Sequence, residues 1–422
     1  MNKRRYRTTK VNDVNWQLIE ECADKERVVF GVDVAKADFV GALMTQDRSV
    51  IQTLKWRHPE QTRRLVEDLL KHLEPGSLEV VMEPSGTYGD PVRSLFTRSG
   101  IPVFWVSPKR VHDAAEVYDG VPSLHDAKAA YVIGRFHLDG GSRPWKELPR
   151  SRRELKAAVK RMELYRDQYQ RGVNRLEGLL ARHWPEAGSV LEAGSVTLMT
   201  VLATYGEPAE VAAQGSAAEH LMRRTGGRLL SEEKIQQLLE TARSTLGLPC
   251  SEGERTYLKT LAEETLRSYR SLTEARKGVE HQALNEPTVA PLAPVVGKIT
   301  SAVLVASQGT PLDYPNAGSY LKSLGLNLKE HSSGKHQGQL KITKRGSGIA
   351  RKYLYLATLR LICRDPVAQA WYQRKVQRDG GRKGKAIVAI MRKLTKSLWY
   401  VAQGQTFDTR RLFNTRLLNL SA

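Results

Sequence analysis

The sequence predicts an α/β domain followed by two mainly helical regions. Three observations carry this. From residue 27 to about 140, short apolar, β-branched runs alternate with amphipathic segments, the signature of strands layered with helices. A proline-free stretch, 151–184, keeps an apolar heptad spacing. The last third reads as helices interrupted by one basic, glycine-punctuated ribbon. The expected division is 26–148 for the α/β domain, 149–286 for a helical coiled-coil region and 287–422 for a mainly helical C-terminal domain.

Taken in order, VVFGVDV and FVGALM within 27–50 read as two strands about a turn. EQTRRLVEDLLKHL (60–73) is an amphipathic helix that stops before Pro75-Gly76. SLEVVME (77–83) is a strand, DPVRSLFTRSG (90–100) a helix closed by Gly100, and IPVFWVS (101–107) another strand. DAKAAYVIGRFHLDG (126–140) starts a helix. Along 151–184, Leu155, Val159, Met162, Arg166, Tyr169, Val173, Leu176 and Leu180 step by four and three. Arg166 is the only polar member of that seam. Such a seam serves a hairpin within the chain or a coiled coil between chains, so an oligomer is expected from it as readily as internal packing. A second long polar helix is expected from Glu232 to about Asn285, broken around LGLPCSEGE (246–254). PVVGKITSAVLVAS (294–307), SYLKSLGL (319–326), LYLATLRLICR and KAIVAIMRKLTKSLWYVAQ (385–403) complete the helical C-terminal part.

Composition narrows the function. The chain has 422 residues, 41% hydrophobic and 26% charged, an ordinary globular balance. No apolar run spans a bilayer, and the basic MNKRRYRTTK start lacks the apolar segment of a secretion signal, so a cytoplasmic, nucleoid-associated protein without membrane contact is expected. Cys22, Cys250 and Cys363 lie far apart, which fits neither a disulfide framework nor a zinc site. The net charge is +21. Residues 331–422 hold 20 Lys and Arg against three Asp and no Glu, so the positive field concentrates there. A surface kept basic for solubility mixes in acids; one purged of them points to phosphate.

Three acids stand out. Asp33 ends an apolar strand, where a carboxylate is expensive unless solvated, paired or metal-bound. Glu83 ends SLEVVME in the same way, ahead of the turn-rich PSGTYGDP. Asp126 opens a helix, where a plain N-cap is the ordinary role. Each alone is weak. Together, a first-strand Asp, a later strand-end Glu and an Asp on a following helix make the layout of an RNase H/RuvC-like nuclease domain, whose carboxylates hold Mg²⁺. No His or Cys cluster competes for a softer metal.

Beyond these acids, GVDVAKADF, MEPSGTYGDPV and YDGVPSLHDAKAAYVIGRF resemble the insertion sequence 110/1111 family of transposases, also called DEDD transposases and related to Piv-type DNA invertases. PVVGKITSAVLVAS, YLKSLGLN, SSGKHQGQLKITKRG and RKYLYLATLRL follow in the family's order. The resemblance spans roughly 27–185 and 286–403, carried by the order and spacing of the motifs rather than by any one of them.

The resemblance implies four acids, Asp-Glu-Asp-Asp. The first three fall on Asp33, Glu83 and Asp126, and the fourth on Ala129. An active-site Asp replaced by the minimal Ala, leaving an inert form, is favoured over a variant that works with three acids. It also implies a serine nucleophile after Gly325-Leu326, which places it at Ser333, with Ser332 in reserve, and a 5′-phosphoserine link to DNA. Lys335, Lys341, Lys344, Arg345, Arg351 and Lys352 then become phosphate contacts. Gly297 and Lys298 stand where the family has a helix-hairpin-helix-like phosphate grip, although one glycine of its Pro-Gly-x-Gly is Val here. A bridge RNA that pairs with donor and target DNA, and dimers or tetramers with composite sites, complete what the resemblance implies. Two other readings remain at this point. One is a RuvC-like nuclease or junction resolvase that uses water and needs no Ser333; the other is a non-catalytic nucleic-acid-binding protein. No Arg…His-x-x-Arg…Tyr arrangement supports a tyrosine recombinase.

Overall fold

The computed structural model describes residues 8–24, 26–84, 86–114, 116–118, 120, 125–330, 338 and 340–415. The chain divides into two compact units, Met1–Glu147 and Leu148–Ala422.

The first unit holds strands β1 (Thr8–Lys10), β2 (Val28–Asp33), β3 (Asp38–Met44), β4 (Val50–Arg57), β5 (Leu78–Met82), β6 (Val103–Trp105) and β7 (Arg143–Pro144). Its helices are α1 (Trp16–Ala23), α2 (Thr62–His72), α3 (Asp90–Arg98), α4 (Pro108–Ala114) and α5 (Asp126–Leu138). The sheet runs β1-β4-β3-β2-β5-β6-β7. β2, β3 and β4 are antiparallel neighbours, whereas β2, β5 and β6 run parallel. The alternation of strand side chains splits the core in two. Val28, Phe30 and Val32 face Leu65 of α2 and Phe96 of α3. Val29, Val40 and Val81 face Ala130 and Ile133 of α5. β4 is absent from the sequence expectation, although its Leu54 and Trp56 are buried and Lys55 and Arg57 exposed, as a half-buried strand requires.

The second unit begins with α6 (Arg150–His183), followed by α7 (Ala187–Val190), α8 (Val196–Tyr205), α9 (Pro208–Ala213), α10 (Gly215–Gly226), α11 (Glu232–Arg243) and α12 (Glu252–Leu284). The expected break separates α11 from α12, and a capping box of Ser251 and Glu254 starts the second. α6 and α12 lie antiparallel, Gly172 beside Thr265 and Gly278 beside Arg161. That pairing decides the heptad seam. Leu155, Val159 and Met162 join one core with Val279 and Leu304, and Val173, Leu176 and Leu180 join another with Leu202 and Leu258. The buried members of the seam are covered by their own chain, as an internal hairpin requires. Arg166 lies against Glu163 at 2.7 Å, and Glu163 also accepts a 2.6 Å hydrogen bond from the hydroxyl of Tyr353.

The unit continues with α13 (Ala293–Val296), α14 (Lys298–Gln308) and α15 (Ala317–Ser323), a two-stranded ribbon of β8 (Leu328–Lys329) and β9 (Lys341–Ile342), then α16 (Gly348–Arg364), α17 (Pro366–Arg378), α18 (Lys383–Ala402) and α19 (Thr409–Leu412). No helix among the described residues is long and apolar enough to cross a membrane.

Candidate active site and nucleic-acid surface

Strand register brings the first two acids together. Val32 of β2 pairs with Met82 of β5, so Asp33 and Glu83 follow at neighbouring strand ends, about 5 Å apart along the pairing direction. Parity does the rest. Asp33 has the parity of Val29, and Glu83 that of Val81, so both belong to the face that carries α5. Helix α5 runs antiparallel to β5. His137 at its C-terminal end meets Glu79 near the start of β5 at 2.9 Å, which leaves Asp126 at the strands' carboxyl ends.

The close approach depends on Gly31. A Cβ there would sit 2.4 Å from the Ala130 carbonyl oxygen and 2.6 Å from the Gly134 nitrogen. Only glycine lets the α5 backbone lie against β2, and that contact carries Asp126 toward Asp33. Asp126 does not cap its helix. The His125 ring does, accepting the Lys128 N–H at 3.3 Å, which leaves the Asp126 carboxylate exposed for other use.

The electrostatics register the convergence. Burial, then the charges of Asp126 and Glu83, push the Asp33 carboxyl up to about 6, against one opposing hydrogen bond from the Val34 N–H. Ala129 follows Asp126 by three residues, one turn on, and is buried. Its methyl brings no charge to the site. Between them Lys128 is 2% exposed, a buried ammonium on the helix that carries Asp126. Sequence reasoning passed over Lys128, and the only signal was a lysine amid the apolar residues of AKAAYVI.

The family's acids imply a divalent ion. As donors, three carboxylates at strand ends suit a hard cation, and the raised Asp33 marks negative charge that a cation would neutralise. Among the described residues, no three Asp, Glu, His or Cys side chains are already gathered tightly enough to form a coordination shell. The donor chemistry and the field fit the ion, without a closed cage.

The expected phosphate contacts belong to the second unit. Lys341 lies on β9, and Lys344 and Arg345 follow it, all exposed. Lys344 adopts φ +55°, and its N–H donates to the Gly325 carbonyl at 2.9 Å. Gly325 (φ +68°) lies so close to this turn that a Cβ would be 2.5 Å from the Arg345 nitrogen. Arg351 is engaged structurally, its Nη1 donating to the carbonyls of Leu324 at 3.2 Å and Gly346 at 3.0 Å. Lys352 has a buried Nζ without a hydrogen-bond partner, 5.7 Å from the Tyr353 ring. Gly297 takes φ +84° between α13 and α14, Lys298 is exposed at the start of α14, and the Arg360 guanidinium donates to the neighbouring Val296 carbonyl. Ser332, Ser333 and Lys335 lie outside the described residues.

A mixed sheet with acids at adjoining strand ends and a third on the helix packed over them is consistent with the RuvC-like DEDD class, whose transposase domains generally use divalent metal ions. Comparison with family models makes the assignment particular. The IS110 DEDD model, described as "Transposase", matches residues 30–185, and the model described as "Transposase IS116/IS110/IS902 family" matches 293–373. The chain belongs to the IS110 family of transposases. No curated protein matches it.

Proposed function

We propose that this chain is an RNA-guided DNA recombinase of an insertion sequence in which one acid of the catalytic set has been lost at Ala129. The observation that carries the reading is the mutual electrostatic stress of Asp33, Asp126 and Glu83 at the strand ends, which a purely structural role does not call for. Asp33, Glu83 and Asp126 would hold Mg²⁺, which when bound supplies Lewis-acid stabilisation of the charge that develops on a phosphodiester. The nucleophile is the Ser333 hydroxyl. Its Oγ–P bond forms as the P–O3′ bond breaks; the serine proton goes to a base and the 3′-oxygen takes one up. The phosphodiester count is unchanged, so rejoining needs no outside energy. Gly297, Lys298, Lys335, Lys341, Lys344 and Arg345 contact the phosphates of donor and target DNA and a bridge RNA, with sequence read by base pairing. Without a carboxylate at 129 the site has one ligand and one negative charge fewer, and cleavage is impaired.

The test compares the chain with its Ala129→Asp form, each supplied with flank-encoded RNA, Mg²⁺ and labelled donor and target DNA. A protein–DNA adduct on denaturing gels from the Asp form alone, lost when Ser333→Ala is added, is the expected result. Nicking without an adduct would overturn the serine step and leave a hydrolytic RuvC-like nuclease.

A further inference from the structure

The second unit contains a cleft of about 1040 Å³ between the β8–β9 ribbon and helices α17 and α18. Its composition is unusual in two respects. Cations line its sides, and among the described residues no Asp or Glu lines it. Lys329, Lys341, Lys344, Arg382 and Lys396 form no salt bridge among the described residues, so their charge is uncommitted. Lys375 and Lys385 are held by Asp379, at 2.5 and 3.7 Å. Lys393 is pressed down from the usual lysine range by burial and by the charge of Lys396, the sign of cations crowded without an anion.

The remainder of the lining is apolar. Ile342, Trp371, Val388 and Ala389 line it, and Leu328 and Leu340 remain 41% and 56% exposed amid the positive charge. This combination discriminates between occupants. A nucleic-acid duplex turns its phosphates outward and hides its base faces, so it would meet the cations and leave the apolar lining wet. A strand with unpaired bases satisfies both, with phosphates on the lysines and base faces against the aromatic and aliphatic side chains. A lipid surface or an acidic peptide lacks the regular pairing of anion and flat apolar group.

We infer that this cleft is a binding site for a short single-stranded stretch of nucleic acid; it includes Lys341 and Lys344 of the expected phosphate contacts, and so deepens the nucleic-acid binding proposed above. The shared chemistry is a phosphodiester strand with unpaired bases, whether RNA or locally opened DNA. The site rests on the geometry of the second unit alone and needs no catalytic competence.

The test measures fluorescence anisotropy of the full chain with a labelled single-stranded RNA, the same sequence as DNA, and the blunt duplex. Lys396→Glu and Arg382→Glu combined, at two exposed positions, should weaken single-strand binding at least tenfold while duplex affinity changes less than twofold. The slope of log affinity against log salt should fall for the single strand only. Val388→Ser, with folding verified by circular dichroism, should give the same selective loss, in smaller degree, at unchanged charge. Photocrosslinking of 5-iodouridine in the strand should map to Trp371 or its neighbours in the lining. Greater loss for RNA assigns the site to RNA through the 2′-hydroxyl, and equal losses assign it to either strand; both support the cleft. Equal losses on single strand and duplex, or none on either, would overturn it. The anisotropy assay is indifferent to the Asp33 set, so failure of one reading leaves the other standing.

Discussion

Replacing Asp33 by Asn should make the metal-free protein more stable, although it removes a residue of the candidate catalytic set. The Asp33 carboxyl is raised from 3.8 to about 6 by burial and by its neighbours Asp126 and Glu83. The folded chain therefore holds this proton more tightly than the unfolded chain does. Below pH 3.8 both states are protonated and the group costs nothing. Between 3.8 and about 6 the folded state loses ground, and above 6 it bears the full penalty of the ionised form. Two units correspond to about 3 kcal/mol as an upper limit. The side chain is partly open to solvent, so screening reduces this to about 1–2 kcal/mol. Asparagine keeps the shape, and its carbonyl oxygen can still accept the Val34 N–H. Urea denaturation with a chelator should place Asp33→Asn about 1–2 kcal/mol above the parent at pH 7.5 and near parity at pH 4. Saturating Mg²⁺ should stabilise the parent and leave the variant almost unmoved. A variant less stable than the parent at pH 7.5 without metal, or a gap that ignores pH, would refute the electrostatic account of the site.

Two further outcomes follow from the packing. Gly31→Ala should cost about 3 kcal/mol, because the new Cβ meets backbone atoms of α5 that cannot turn aside; NMR titration should then find Asp33 closer to its ordinary range as Asp126 moves off, and an unchanged titration would contradict the link. Leu176→Ala, at a fully buried position, should cost about 2–5 kcal/mol. Sedimentation of that variant should give the parent's mass at every concentration, whereas a lowered mass would return the seam to an intermolecular role.

Much was legible in the residues themselves. Asp33 and Glu83 could be read because a carboxylate at the end of a wholly apolar run conflicts with its surroundings, and such conflict is visible locally. The expectation at Ala129 comes from the family's spaced motif, which that residue interrupts, and not from its own chemistry. The α5 helix and the two halves of the 232–285 segment were readable from period and breakers, whereas β4 was missed because its strand signal, with Lys55 and Arg57 interleaved, is shared with any exposed polar segment.

What the sequence determined by itself was the inventory: acids at the ends of apolar runs, a basic final third, a heptad seam. Tertiary structure decided how the inventory is used. The seam's spacing is the same for an internal hairpin and an oligomer, and only the antiparallel α12 shows which surface covers it. The coupling of three acids separated by 93 residues depends on strand register, face parity and a glycine contact, none of which is local. The cleft by α18 gathers lysines from 329 to 396 whose spacing along the chain carries no pattern. Charge is additive along a sequence, but a site needs it concentrated in space, and only packing supplies that.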